Sequence, residues 1–265
     1  MGTLDGMKRL VAAGVALCLL ATPAVASTAP GEYPWAKQLK VAKRFAADRA
    51  GKVSIGIVDE DRHFHGYRAN RRYSSASAVK VMLMVAFLRH GDNDDQPLTD
   101  ADEALLEPMI KRSDNGAATT IRNIVGNDAL VRLANRAGMQ RFQPAVSWGA
   151  SQITARDQAQ WMFEIERHIP KRHREYAMNL LTKIITRQRW GIPPERPHGY
   201  EIHFKGGWAP SGNPGWTINQ VAQLDPGGRG DHFSIAILSR QNPSKDYGIT
   251  TLRGVAEKLL AKFPK

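Results

Sequence analysis

The stretch YSSASAVKVMLMVAFL, residues 73–88, decides the fold. From Val79 to Leu88 it is apolar all round a helix, and a helix of that kind is buried on every side. It is predicted to be the central helix of its lobe, with other elements wrapped around it. Ser77 and Lys80 open it three positions apart, a spacing that puts both side chains on one helical face within hydrogen-bond reach. The helix start also brings backbone N–H groups and positive dipole character to the Ser77 oxygen. A serine hydroxyl is a poor nucleophile until a neighbour takes its proton, and a lysine desolvated beside an apolar helix loses enough basicity to do so. Alone the pair is a weak signal, because a Ser and a Lys at this spacing recur by chance in ordinary chains.

Upstream, Trp35, Leu39, Ala42, Phe45 and Ala46 recur at helical spacing, with Gly51 placed as a stop. Val53, Ile55 and Ile57 then alternate as a strand, and Asp59-Glu60-Asp61 turns the chain into a second strand around His63 to Tyr67. From Thr99 to about Arg187 the pattern is helical throughout, with separate helices around Ala117–Ile124 and Ala129–Ala134. Strand signals return at Glu201 to Trp208, Thr217 to Leu224 and Phe233 to Ser239, divided by turns such as Ser211-Gly212-Asn213-Pro214-Gly215. An amphipathic helix from Tyr247 to Phe263 follows. This order predicts an α+β fold: a five-stranded antiparallel sheet flanked by N- and C-terminal helices, plus an all-helical lobe. The expected organisation is a signal peptide at 1–26 and a single catalytic domain at 27–265. That domain would have an α/β lobe of 27–75 and 195–265 and a helical lobe of 76–194. A ligand cleft is expected where the lobes meet.

Met7-Lys8-Arg9, the apolar run Leu10 to Ala21 and Ala24-Val25-Ala26 have the order of an export signal with its cleavage site. The run is too short for a permanent span, which takes about 20 apolar residues. The protein is therefore expected to be secreted, or periplasmic or cell-wall associated, with no stable membrane span. An uncut N-terminal anchor is the plainer alternative. Cys18, the single cysteine, lies in this leader, so the cut chain has neither disulfide nor thiolate metal site. The formal net charge of +12 falls to +11 when two cations, Lys8 and Arg9, and one anion, Asp5, are removed. Such a balance favours acidic lipid or an anionic cell wall. Nucleic acid is not expected, since the densest basic run, Lys171-Arg172-His173-Arg174, has no interleaved aromatics. The histidines match no metal-binding spacing, so no metal and no cofactor is expected. A monomer acting on a small-molecule or peptide substrate is the expectation.

Two further motifs fall at the edges of the predicted cleft. In Ser113-Asp114-Asn115 a second hydroxyl could relay a proton to a leaving nitrogen, and Asn115 offers a donor and an acceptor to an amide. The same three residue types are also ordinary helix caps. In Lys205-Gly206-Gly207 the glycines let a ligand approach a strand backbone and Lys205 adds positive charge beside it, although a strand-end bulge reads the same way.

Together and in this order, Ser77-Ala78-Val79-Lys80, Ser113-Asp114-Asn115 and Lys205-Gly206-Gly207 resemble the S-x-x-K, S-D-N and K-T-G set of the penicillin-recognising serine enzymes, the class A β-lactamases and D,D-peptidases. Tyr73-Ser74-Ser75-Ala76, Met109-Ile110, Trp190-Gly191-Ile192-Pro193 and Asn219-Gln220-Val221-Ala222 extend the resemblance over almost the whole chain after the leader. The resemblance implies that Ser77 attacks an amide carbonyl and becomes acylated. Lys80 would accept its proton and Ser113 would pass a proton to the departing nitrogen. Asn115 would hold the substrate's side-chain carbonyl, while Lys205 steadies Ser113 and draws in a substrate carboxylate. Gly206, Gly207 and Trp208 would line the substrate, and the backbone N–H groups of Ser77 and Trp208 would form an oxyanion hole.

Two departures shape the expected function. Met139 to Ile153 is shorter than the corresponding class A loop and holds no Asp or Glu to activate a deacylating water; Asp157 and Glu164 fall on a predicted helix beyond it. Gly206 stands where the family has Thr or Ser, and the missing hydroxyl weakens carboxylate recognition by about 1 kcal/mol. The expected protein is a secreted β-lactamase-like serine hydrolase or acyltransferase. It would form an acyl-enzyme on Ser77 with a β-lactam or cell-wall-type peptide and turn β-lactams over weakly. The alternative is a non-catalytic penicillin- or cell-wall-peptide-binding protein on the same scaffold. Trp208 and Trp216 suggest an aromatic wall for the cleft.

Overall fold

The computed structural model describes residues 33–211, 215–227 and 231–264; the leader expected at 1–26 lies outside them. Trp35–Ala47 forms α1, which buries the stripe Trp35, Gln38, Ala42 and Ala46. β1 (Lys52–Val58) and β2 (Phe64–Tyr67) pair antiparallel across the acidic turn, where the Asp59 carboxylate accepts the His63 backbone N–H. A two-residue strand, β3 (Tyr73–Ser74), leads into a 3-10 turn at Ala76–Val79 and then α2 (Lys80–Leu88).

Every residue of α2 is buried, as its unbroken apolar run requires. Each large side chain there contributes about 1.5–3 kcal/mol of burial, and a truncation such as Leu83→Ala costs about 2–5 kcal/mol. The helices that follow wrap it. α3 (Asp100–Glu107) starts with a capping box between Thr99 and Asp102. A π-helical turn at Pro108–Arg112 ends in Ser113, a non-glycine residue in the left-handed region at φ 58°. α4 (Asn115–Arg136) bends at Gly126, whose φ of 72° breaks it at the boundary expected between two helices.

The middle is not helical throughout. A short strand, β4 (Gln152–Ile153), pairs with β3 and precedes α5 (Ala155–Phe163), α6 (Ile165–His168) and α7 (Arg174–Thr182). The last three strands, β5 (Glu201–Pro210), β6 (Trp216–Asp225) and β7 (Phe233–Asn242), lead to α8 (Lys245–Leu260). The main sheet has the order β2-β1-β7-β6-β5, with every pairing antiparallel, which is the expected five-stranded sheet.

Its inner strands are buried on both faces. On one face α5 presses on β1, where the Gly56 position meets the Ala155 carbonyl, and the Ser234 hydroxyl donates to Ala159. On the other, α8 rests on Ile218 at Gly248 and on the Phe45 ring of α1 at Gly254. Tyr33 stacks on Phe263 at 3.9 Å between ring centroids. Among the described residues, no helix is long and apolar enough to cross a membrane.

Candidate active site

The turn that carries Ser77 is fastened from three sides. From β6, Asn219 Nδ2 donates to the Ser74 and Ser75 carbonyls at 2.8 and 3.1 Å. From the loop before α5, the Ser151 carbonyl accepts the Ser75 N–H at 2.8 Å, and Ser75 Oγ lies 3.3 Å from the Trp148 and Gly149 carbonyls. From β5, Gly207 backs directly onto the turn. Ala76 is held at φ 45°, a conformation that costs a non-glycine residue about 1–2 kcal/mol and that these anchors sustain. Ser77 is 9% exposed, enough to open onto the cleft described below.

Lys80 lies beneath Ser77 and is fully buried. Its Nζ donates to the Ser113 carbonyl at 2.7 Å, to Ser113 Oγ at 3.2 Å and to Asn115 Oδ1 at 2.8 Å. The left-handed turn at Ser113 directs that residue's carbonyl and hydroxyl to one amine. Lys80 and Ser77 make no hydrogen bond to each other. The expected pairing on one helical face is therefore replaced by a pairing across the cleft, because Ser113 and Asn115 offer the ammonium better acceptors than a hydroxyl one turn away. Burial lowers the Lys80 pKa to about 7, and the nearby charge of Asp114 opposes that drop. Asp114 also caps α4 by accepting the Ala117 N–H, as the cap reading of this motif expects. The Trp148 ring covers Lys80, with Nζ 4.7 Å from the ring centroid.

Lys205 is fully buried as well, and its Nζ donates to the Gly206 carbonyl at 3.0 Å; the structure shows no bond from it to Ser113. Burial, reinforced by the positive charge of Lys80, holds its pKa well below the usual lysine range. Side chains alternate along β5, so Gly206 faces away from Lys205 and Gly207. There a Cβ would stand 2.9 Å from Cζ2 of Trp190. The amide of Gln220, the cross-strand partner of Gly206, donates to the Trp190 carbonyl at 2.7 Å and accepts the Ile192 N–H at 2.6 Å. Trp190 in turn meets Trp208 edge-on at 6.1 Å.

These elements enclose a cleft of about 370 Å³. Ser77, Ser113, Asn115 and Trp208 line it, as does Trp148, and Lys80 lies behind Ser113 and Asn115. Trp216 does not. Asp157 is buried with its two oxygens on the Gln140 and Arg141 N–H groups, and Glu164 pairs with Arg62 and Arg167; neither carboxylate reaches the cleft. Among the described residues, no group of three His, Cys, Asp or Glu side chains could hold a metal ion. From sequence, the segments of Trp190, Asn219 and Gln220 belong to the resemblance but have no contacts assigned, and Trp148 has no part in it. For Trp148 the available signal is a tryptophan between Ser147 and Gly149, in a loop with no periodicity of its own.

A family model described as the Beta-lactamase enzyme family matches residues 102–263. The match takes in Ser113, Asn115 and Lys205 and begins after Ser77 and Lys80. A solved β-lactamase from Xanthomonas campestris superposes with a TM-score of 0.72 at 17% identity, covering 85% of this chain and 97% of that one. One from Sphaerobacter thermophilus gives 0.70 at 21% identity, covering 86% and 97%. A class A representative from Bacteroides cellulosilyticus gives 0.74 at 12% identity, covering 87% and 98%. At these identities the likeness is one of fold. No curated protein matches the chain by sequence.

Proposed function

The chain belongs to the beta-lactamase enzyme family, and from that premise we propose that it is an exported serine hydrolase or acyltransferase that forms an acyl-enzyme on Ser77. The observation that carries the reading is Lys80: a fully buried amine with a pKa near 7, bonded to Ser113 and Asn115 beside the cleft that Ser77 opens onto. In the proposed reaction Ser77 Oγ attacks the acyl carbon and the Oγ–C bond forms. The hydroxyl proton passes to neutral Lys80 and on through Ser113 to the leaving nitrogen or oxygen as its bond to carbon breaks. Backbone N–H groups of Ser77 and Trp208 receive the oxyanion, a contribution of about 3–4 kcal/mol per donor in comparable sites. Asn115 orients the substrate amide. Lys205 serves as a buried positioning residue for the strand that carries Gly207 and Trp208.

Deacylation is the slow half of this reaction. Among the described residues no carboxylate lines the cleft, and Trp148 covers Lys80 on its loop side. A β-lactam is therefore expected to acylate Ser77 and stay. Mass spectrometry after incubation with benzylpenicillin tests this: a persistent adduct of the intact drug mass, absent in Ser77→Ala, is the expected result. Rapid appearance of ring-opened product with unmodified protein would refute slow deacylation.

One observation favours a second reading, a non-catalytic binder on the same scaffold: the Lys80 amine is bonded to Ser113 and Asn115 and not to Ser77. A fluorophosphonate probe separates the two. Covalent labelling of the wild type and not of Ser77→Ala supports the enzyme, and labelling of neither supports the binder.

A further inference from the structure

We infer that the groove between β2 and the start of α5 is a binding site for a phosphodiester chain without bases, a polyol phosphate held by Arg68, Arg71 and Arg156. The groove shares no lining residue with the Ser77 cleft, so the inference stands apart from the acylation reading.

The groove has a volume of about 540 Å³, and these three arginines line it together with Asn70. Among the described residues no acidic side chain lines it and no carboxylate pairs with any of the three. Arg156 Nε donates to Asn70 Oδ1 at 3.1 Å, which leaves its two terminal nitrogens facing outward from that bond. Burial raises the pKa of the nearby Tyr73 phenol, and the charges of Arg240, Arg71 and Arg68 each oppose that rise, so a fourth guanidinium adds to the same field. α5 starts one residue before Arg156 and brings the positive end of its dipole here. Asp157, the acid of that first turn, is engaged by the Gln140 and Arg141 N–H groups. Phosphate matches such a groove, because a guanidinium meets it with two parallel N–H donors.

The arginines are held in place rather than left to swing. Arg156 lies over the Phe64 ring, with Cζ 3.8 Å from the centroid, and that ring packs against Gly66 and Ala69. Arg68 lies over Tyr67 at 4.9 Å. Its backbone is fixed at φ 50°, unusual for a non-glycine residue, by Ser54 Oγ, which donates to the Arg68 carbonyl at 2.7 Å. The Arg71 N–H donates to the same carbonyl and the Arg156 N–H to the Ala69 carbonyl, both at 3.1 Å. A guanidinium stacked on a ring keeps its in-plane donors for a ligand. The form of the partner follows from the surroundings. A concave groove with three cations suits successive phosphates of one chain better than a flat lipid surface. The exposed large apolar side chains Val41, Ile124, Val131 and Val146, which could enter a bilayer, do not line it. Among the described residues Phe64 is the one ring that does, and Arg156 already covers it, so bases find no bare platform.

Fluorescence anisotropy of a dye-labelled glycerol phosphate hexamer with the full-length chain tests this. Binding is expected, and it should weaken as salt is raised. Arg68→Gln, Arg71→Gln and Arg156→Gln combined should weaken it at least about tenfold, and Arg71→Gln alone about threefold, as guanidinium–phosphate bonds are lost. Lys171→Gln, Arg172→Gln and Arg187→Gln combined remove the same charge from exposed positions elsewhere and should change it less than about twofold. No binding, or an equal loss in the two triple variants, would overturn the inference. Circular dichroism checks the fold of each variant. If the groove triple variant does not fold, Arg71→Gln decides, because its side chain is exposed and has no hydrogen bond or ion pair among the described residues to lose. Wild-type affinity in Arg71→Gln would then overturn the inference. An oligothymidylate of equal charge should bind no tighter than the hexamer, and tighter binding would overturn the choice of partner. Loss of sedimentation with phosphatidylglycerol vesicles in the groove variant, without loss of hexamer binding, would assign the groove to a membrane and overturn it as well. Fluorophosphonate labelling of Ser77 should persist in the groove variant, and its failure in the wild type would defeat the acylation reading alone.

Discussion

Gly207 and Ser77 meet as bare backbone: a Cβ added to Gly207 would stand 2.6 Å from the Ser77 nitrogen. The turn therefore rests on the strand with no room for a methyl group. Gly207→Ala must push the turn away from β5 and displace both the nucleophile and the oxyanion donors. Acylation is expected to slow by roughly a hundredfold, the usual result of about 1 Å of misplacement. Stopped-flow acylation with a neutral ester, alongside circular dichroism to show that the fold persists, checks this. Acylation at the wild-type rate would contradict it.

Acylation should follow the titration of Lys80. Its neutral form takes the proton, burial sets its pKa to about 7, and Asp114 opposes that lowering. The acylation rate constant is thus expected to rise with pH through about 7 and then level off. Asp114→Asn removes the opposing charge and keeps a competent helix cap, so the rising limb should move to lower pH. A pH–rate profile of both proteins reads the shift directly, and a limb that stays put or moves up counts against the assignment.

The same amine should make stability depend on pH. Between about pH 7 and the ordinary lysine value of 10.5, the unfolded chain holds a proton that folded Lys80 has released. The unfolded state binds more protons there, so the unfolding free energy rises with pH across that window, by a total on the order of a few kcal/mol. Lys205 acts in the same direction. Urea unfolding at several pH values should show the slope, and Lys80→Met should reduce it.

Trp148 seals one side of Lys80. Trp148→Ala admits water beside the amine and the acyl ester, so an acyl-enzyme formed from benzylpenicillin should decay faster. An effect of roughly tenfold corresponds to about 1.4 kcal/mol on the barrier. Time-resolved mass spectrometry of the adduct measures it; an unchanged lifetime would mean that the ring does not control water access.

The fold was legible wherever a pattern repeats. The alternation at Val53, Ile55 and Ile57, the apolar run of α2 and the glycine-divided strands near the C-terminus each identify their element without tertiary knowledge. The two-residue pair β3–β4 was not, since two residues carry no period. The site was legible as a set of residues and less so as a set of contacts. Spacing fixes where the Cβ atoms of Ser77 and Lys80 lie, but the Lys80 amine goes to whichever acceptors are closest, and those come from residues 33 and 35 positions away. The contacts of Trp148 and Trp190 are not legible for a related reason. Their roles arise from loops pinned by Ser75 and Gln220, and no local pattern reports such pins.

The order of the main sheet has a consequence for how the chain must be assembled. β1 pairs with β7 along its length, and Tyr33 lies against Phe263 and donates its hydroxyl proton to Leu259. The earliest strand thus waits for the latest before it has a neighbour on that side. Contacts closed over so long a span make folding slow and leave little reward for partial structure. Synthesis alone cannot complete this sheet residue by residue. It closes like a clasp, and trimming the chain at α8 should release both ends at once.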